Sequence, residues 1–189
     1  RDMFQGASGA DALADLRRAD WLYLTGISLA VLDVESRLSV FETMRTIVEN
    51  GGQVAFDINY RPILWEDVAE AASTLQVALS WSTIALPGLD DMRAVFGTNT
   101  PAAALRQLES FGVQEAVIKN GSAGVHLSSG DVIEAEPVAN VIDTTAAGDA
   151  FNGAYLAARM NGSNAETAAR AGQSLAAKVI QAPGAIIPR

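Results

Sequence analysis

The feature that most constrains this chain is an alternation: short apolar runs of strand-like composition are separated by segments with helical periodicity. Trp21-Leu-Tyr-Leu-Thr-Gly26 reads as a buried strand entering a loop. From Ser36 the apolar residues Leu38, Phe41, Met44, Ile47 and Val48 recur at intervals of three and four, an amphipathic helix that Asn50-Gly51-Gly52 stops. Gln53 to Asn59 is the next strand, broken by Arg61-Pro62. A helix from about Glu66 to Leu79 and a strand from Thr83 to Leu86 follow, the latter ending in Pro87-Gly88. Asp90 to Phe96 reads as a short helix, and Pro101 opens another in the favoured first-turn position. Glu115 to Lys119 is a strand. Short pieces around Val125 to Leu127, Val132 to Ala135 and Val138 to Ile142 read as a small antiparallel region. Alanine-rich helices near Ala147 to Met160 and Ala165 to Ile180 follow it. Upstream, Asp11 to Ala19 reads as a helix already under way, and Arg1 to Gly9 carries no start signal.

Strand and helix alternate at lengths that fit right-handed βαβ crossovers. The expected class is therefore α/β, with a largely parallel sheet covered by helices on both faces. The 189 residues fit one domain at roughly 100 to 200 residues each. In such sheets ligands bind beyond the carboxyl ends of the strands. Three loops expected there are chemically loaded: Asp57 to Arg61, Lys119 to Gly124, and Asp143 to Asp149.

Composition narrows the chemistry. The 13 basic and 22 acidic residues sum to −9, so neither nucleic acid nor an anionic membrane is expected as a partner. With no cysteine there is no disulfide scaffold, thiolate nucleophile or Cys-ligated metal. The single histidine, His126, alternates with Val125 and Leu127 and reads as a strand residue. No apolar run approaches the roughly 18 to 20 residues that span a bilayer and no signal peptide opens the chain, so the expected setting is cytoplasmic.

The strongest chemical signal is Asp143-Thr-Thr-Ala-Ala-Gly-Asp149, leading into a helix. Small residues at a helix start leave backbone N–H groups unobstructed at the positive end of the dipole, which suits an anion. A carboxylate there, Asp149, can accept a proton from a substrate hydroxyl while the amides hold a transferring phosphoryl group. By mechanism alone a second reading stands beside it: Asp143 and the threonines cap the helix, and Asp149 complements its dipole.

The longer run Asp143-Thr-Thr-Ala-Ala-Gly-Asp-Ala-Phe-Asn-Gly153 resembles the C-terminal signature of the ribokinase-like (PfkB) carbohydrate kinases. Three further features fall in that family's order: the Leu86-Pro87 turn before Asp91, the Lys119-Asn-Gly-Ser-Ala-Gly124 segment, and Pro183-Gly-Ala-Ile-Ile-Pro188. The resemblance implies a ribokinase-like fold, ATP and Mg²⁺ as cofactors, and Asp149 as catalytic base. The N–H groups of Ala147, Gly148 and Asp149 would form an anion hole, with Ala146 to Gly148 on the phosphate side of ATP. Ala146 stands where the family usually has glycine. Alanine keeps its N–H, so the hole is expected to survive with φ below zero there.

Lys119 to Gly124 reads by itself either as a plain turn or as a nucleotide cradle. The resemblance assigns Lys119, Gly121, Ser122, Ala123 and Gly124 to ATP. Lys119, one of only two lysines, ends an apolar strand, where it meets phosphate as a point charge or snorkels to solvent. Asp57-Ile-Asn-Tyr-Arg-Pro-Ile-Leu-Trp65 is similar to a segment of 2-keto-3-deoxygluconate kinases in which the arginine meets the sugar acid near the phosphates. That similarity carries Asn59, Tyr60 and Arg61 to the nucleotide and substrate region, and the planar fork of Arg61 suits a carboxylate. A related segment occurs in 5-keto-2-deoxygluconate kinases and some fructokinases. The alternative is a surface arginine in a proline turn, with Trp65 as core packing.

At Pro87 to Asp91 the chain departs from the family. Relatives commonly carry Asn, two residues, then Glu, helping to organise the magnesium waters; here Gly88 and Asp91 hold those positions. Asp91 is the candidate metal-side acid, acting through a water, and Asp90-Asp91 also reads as a helix-start preference. Mg²⁺ held mostly by water and ATP oxygens fits the lack of a ligand cluster. Family members begin with a strand-rich segment that forms a substrate stretch and a β-sheet lid, often the dimer contact. Nothing before Trp21 reads as that module, so the chain is expected to be the later two-thirds of a longer kinase whose lid would carry an oligomer contact, with little activity by itself. The expected reaction is ATP-dependent phosphorylation of a sugar acid at its terminal primary hydroxyl, foremost 2-keto-3-deoxygluconate to its 6-phosphate. Alternatives are a PfkB kinase for 5-keto-2-deoxygluconate or fructose, and a non-catalytic nucleotide-binding module. A dinucleotide-binding dehydrogenase fits poorly, for no strand is followed by Gly-x-Gly-x-x-Gly.

Overall fold

A computed structural model describes residues 6–185. The chain divides into two compact units, Arg1–Ile118 and Lys119–Arg189. In the first, α1 (Gly6–Leu16) precedes β1 (Trp21–Thr25), α2 (Gly26–Ala30), α3 (Val34–Glu49) and β2 (Gln53–Asp57). A 3-10 turn at Pro62–Leu64 leads to α4 (Val68–Ser80), β3 (Ile84–Ala85), α5 (Leu89–Phe96), α6 (Pro101–Ser110) and β4 (Glu115–Lys119), whose last residue begins the second unit.

The strands β1 to β4 pair in chain order and all in parallel, with Leu22 opposite Val54 and Phe56 opposite Ala85. Parallel strands buried on both faces need near-continuous apolar runs, and Val54, Ala55 and Phe56 of β2 are all fully buried. Alternate strand residues Leu22, Val54, Phe56, Ala85 and Ile118 form one cluster with Met44 and Ile47 of α3, Leu75 and Leu79 of α4, Met92 of α5 and Leu108 of α6. Period two on the sheet thus meets period three-to-four on the helices.

Capping decides where the helices begin. Asp33 accepts from Ser36 N–H at 2.8 Å and Asp67 from Glu70 N–H at 2.7 Å. Both α3 and α4 therefore start two residues from the expected Ser36 and Glu66, because an aspartate, not the first apolar residue, opens the turn. The loop expected after β1 is instead the short helix α2, where Ser28 Oγ accepts the Thr25 N–H at 3.3 Å. Arg37 ties these elements together. Its Nη1 donates to Glu70 at 2.6 Å, its Nε to Leu29 O at 2.8 Å, and its guanidinium lies 5.0 Å from the Trp65 ring centre.

In the second unit a 3-10 turn at Gly121–Ala123 leads to β5 (Val125–Leu127) and β6 (Val132–Ile133), an antiparallel pair with His126 opposite Val132. The long helices α7 (Ala147–Met160) and α8 (Ala165–Val179) follow; Asn164 caps α8 by accepting from Thr167 N–H at 2.8 Å. They approach closely at Gly172, where an added Cβ would stand 2.6 Å from the Phe151 ring. Phe151 in turn stacks on Tyr155 with ring centres 5.9 Å apart. The strand expected at Val138 to Ile142 does not form, and the one at Val132 stops at Ile133. The Ile142 and Asp143 N–H groups instead donate to Ile180 O, the carbonyl that follows α8, at 2.8 and 3.3 Å. Of the expected Pro183 to Pro188 ending, the residues beyond 185 lie outside the described residues. Among the described residues no helix is long and apolar enough to cross a membrane.

Candidate active site

The start of α7 is built on a turn with an unusual backbone. Ala146, its N-cap, has φ 60° and ψ 10°, the left-handed conformation that favours glycine. This corrects the expectation of a negative φ, and the turn from Asp143 into α7 decides it. A left-handed residue followed by right-handed ones turns successive N–H groups to one side, the nest that receives anions. The Ala147 N–H donates to Thr144 O at 3.2 Å. Of the three amides expected in the hole, those of Gly148 and Asp149 therefore remain as first-turn donors for which a helix has no intrahelical acceptor.

Asp143 does not cap α7. One carboxylate oxygen accepts from Thr145 N–H at 2.8 Å, the other from Gly184 N–H at 3.0 Å. The Thr145 hydroxyl, helped by those two backbone N–H groups, holds the Asp143 carboxyl below its ordinary range. Asp143 thus joins the turn before α7 to the segment after α8. Asp149 is exposed in the first turn of α7.

These pieces surround one cavity of about 660 Å³, within the ~300–1,000 Å³ of small-molecule pockets. Lys119, Gly121, Ser122 and Gly124 line it from one side, and Thr144, Ala147 and Gly148 from the start of α7. Ala123, Ala146 and Asp149 are beside these residues in sequence but do not line it. The loop is closed by Asn120 N–H to Gly124 O at 2.9 Å. Gly124 has φ 88°, and a Cβ there would stand 2.2 Å from Ile133 O, so only glycine fits. Further walls were not among the expected site residues; they include Glu136, Pro137 and Val138 from the irregular segment, and Gln173, Ala176 and Ile180 along and just beyond α8. The last three recur at three and four along one helical face, and that periodicity was the available signal. Small apolar walls with a polar loop at one end suit a flat ring carrying an anionic tail.

The other expected residues belong to the first unit. Asn59 has φ 35°, and its N–H donates to the buried Asp57 at 3.3 Å. The next amide, Tyr60 N–H, donates to Asp91 Oδ1 at 3.2 Å. Arg61 is exposed, with Nη1 3.2 Å from Tyr60 O, and Pro62 opens the 3-10 turn behind it. Trp65 is buried. This is the arrangement of the alternative reading of the segment, a surface arginine in a proline turn with Trp65 packed in the core. The second Asp91 oxygen is 3.4 Å from where a Cβ at Gly88 would lie. Among the described residues no group of three or more His, Cys, Asp or Glu side chains could hold a metal.

Comparison with known proteins gives these residues a context. The model of the pfkB family carbohydrate kinases matches residues 3–189. The chain is 41% identical over 181 residues to 2-dehydro-3-deoxygluconokinase of Escherichia coli K12, covering 93% of this chain and 59% of that one. Its fold is similar to that of the PfkB protein from Polaromonas sp. JS666, with a TM-score of 0.82 at 26% identity, over 94% of this chain and 58% of the other. It is also similar to aminoimidazole riboside kinase from Salmonella enterica, solved with aminoimidazole riboside and an ATP analogue, with a TM-score of 0.77 at 26% identity over 87% of this chain and 57% of that one. The chain thus spans 59% of the length of the curated relative it matches.

Proposed function

Since this chain belongs to the pfkB family of carbohydrate kinases, we propose that the whole protein transfers the γ-phosphoryl group of ATP to the terminal primary hydroxyl of a sugar acid, foremost 2-keto-3-deoxygluconate. The observation that carries this reading is the start of α7: a left-handed Ala146, first-turn amides at Gly148 and Asp149, and an exposed carboxylate at Asp149. The likeness to 2-dehydro-3-deoxygluconokinase, whose name states the same substrate, supports the sugar acid over a neutral sugar.

In this reading the nucleotide lies in the 660 Å³ cavity, with its ring against the apolar walls and its phosphates toward Lys119 and Gly148. Asp149 accepts the proton of the primary hydroxyl as that oxygen attacks the γ-phosphorus in line and the bond to the β-phosphate oxygen breaks. The Gly148 and Asp149 amides receive charge on the transferring group. Asp149 is exposed at the start of α7, where a substrate hydroxyl can reach its carboxylate. Arg61, exposed and backed by Pro62, is the residue for the substrate carboxylate. The absence of an acidic cluster among the described residues suits a Mg²⁺ held mainly by water and phosphate oxygens. When bound, that ion would neutralise phosphate charge, and Asp91 is the residue that would reach its waters.

The test is ADP release by the whole protein with Mg-ATP and, in turn, 2-keto-3-deoxygluconate, 5-keto-2-deoxygluconate, fructose and ribose. Turnover is expected on the first, lost by at least about 10³-fold in Asp149→Asn on removal of the base. Turnover favouring another sugar would keep the kinase and discard the role given to Arg61. ATP binding without turnover on any of the four would favour the non-catalytic module, the reading that Gly88 in place of the family's asparagine supports.

A further inference from the structure

Asn152 lies on α7 one turn beyond Gly148, and it is fully buried. Asparagine is a poor choice for a helix interior, because its amide competes with the backbone and must be satisfied when buried. Here its Oδ1 accepts a hydrogen bond from Lys119 Nζ at 3.0 Å. The same ammonium is 3.5 Å from the point where a Cβ on Gly148 would stand, so it rests directly against the first turn of α7. Lys119 and Gly148 line the cavity, whereas Asn152 stands behind them.

We propose that Asn152 is a positioning residue for phosphate recognition: it anchors the Lys119 ammonium beside the first-turn amides of α7, so that the charge is in place before a polyphosphate arrives. This rests on the kinase reading given above. A lysine carries its charge on a flexible four-carbon stem, and ordering that stem on binding would otherwise weaken the complex. Asn152 performs the ordering in advance. A neutral amide suits the task, since it accepts the hydrogen bond without cancelling the charge the phosphates are to meet. A carboxylate at 152 would hold the lysine equally well and neutralise it.

The inference separates the phosphate end of the ligand from the ring end, so ATP and adenosine are the probes. Affinities of the chain for ATP, ADP and adenosine are measured by calorimetry for the wild type, Asn152→Leu, Lys119→Met and the double variant, each checked for folding by its thermal melt. Asn152→Leu should weaken ATP and ADP by about 3- to 10-fold, the scale of ordering one long side chain, and leave adenosine unchanged. In the Lys119→Met background the same substitution should have no further effect on ATP or ADP, because the proposal routes the effect of Asn152 on phosphate through that ammonium. If Asn152→Leu does not fold, Asn152→Ala serves with the same expectations. Equal weakening of adenosine and ATP, or full additivity with Lys119→Met, would overturn the proposal while leaving the kinase reading standing. A wild-type chain that binds neither ATP nor adenosine would overturn both.

Discussion

Ala146 holds a left-handed conformation that costs an alanine roughly 1–2 kcal/mol, and it does so at the start of α7, the proposed anion site. Glycine removes that strain but is more flexible in the unfolded chain, at about 0.4–1 kcal/mol. Ala146→Gly should therefore be neutral to stabilising by up to about 1 kcal/mol in urea unfolding. Destabilisation by a similar amount would show that the positive φ is not held. Gly124 is the opposite case: Gly124→Ala places a methyl 2.2 Å from a backbone oxygen at φ 88°. The loop must move, and a loss of about 2–4 kcal/mol is expected together with weaker ATP binding. A Gly124→Ala chain with unchanged stability would contradict the packing of this loop on Ile133. The sequence names the glycines and the acid of this site, but the sign of φ at Ala146 is not legible in it. Alanine reads as a helix former; only the turn between two anchored segments forces it left-handed.

Among the elements, the junction of α2, α3, α4 and the turn before Trp65 depends on one buried cation. The Arg37 side chain is 11% exposed and its partner Glu70 31%. The hydrogen bond from Arg37, with that from Glu66 N–H, holds the Glu70 carboxyl below its ordinary value of 4.5 and outweighs its desolvation. A carboxylate with a lowered folded pKa stabilises the fold above its unfolded value, and that contribution is lost as pH falls through the folded one. The wild type should accordingly lose stability below about pH 4.5 more steeply than Glu70→Gln, as thermal melts from pH 6 to pH 3 would show. Arg37→Met should cost about 2 kcal/mol at neutral pH, less than the ~3–5 kcal/mol of a fully buried pair because Glu70 keeps contact with water. Equal pH profiles for wild type and Glu70→Gln would remove the pair from the account. At this scale the expected strand at Glu115–Lys119 and helix at Ala147–Met160 were legible to the residue, because apolar pattern and end signals agree there. The strand expected at Val138 to Ile142 was not, since its alternation is met by a helix end instead of a neighbouring strand.

For the whole molecule, the division at Ile118 and Lys119 places the 660 Å³ cavity, the proposed nucleotide site, in one unit and the Asn59 to Arg61 segment in the other. Mg-ATP at 100 times its Kd should add about 2.7 kcal/mol to the stability of the state that binds it. Backbone hydrogen exchange should slow at residues 119–124 and 144–151, and unchanged exchange there would rule the cavity out as the nucleotide site. The order of strands and helices, the parallel sheet and the acid-bearing helix start follow from local pattern alone, because periodicity and turn chemistry act within a few residues. The resemblance to carbohydrate kinases rests on the same local runs. Other features belong to tertiary structure: Ala146 left-handed, Asp143 joined to Gly184, and Lys119 joined to Asn152. Each depends on groups 30 or more residues apart, or on a turn held between such groups, and no short-range pattern encodes which distant partner a buried polar group will find.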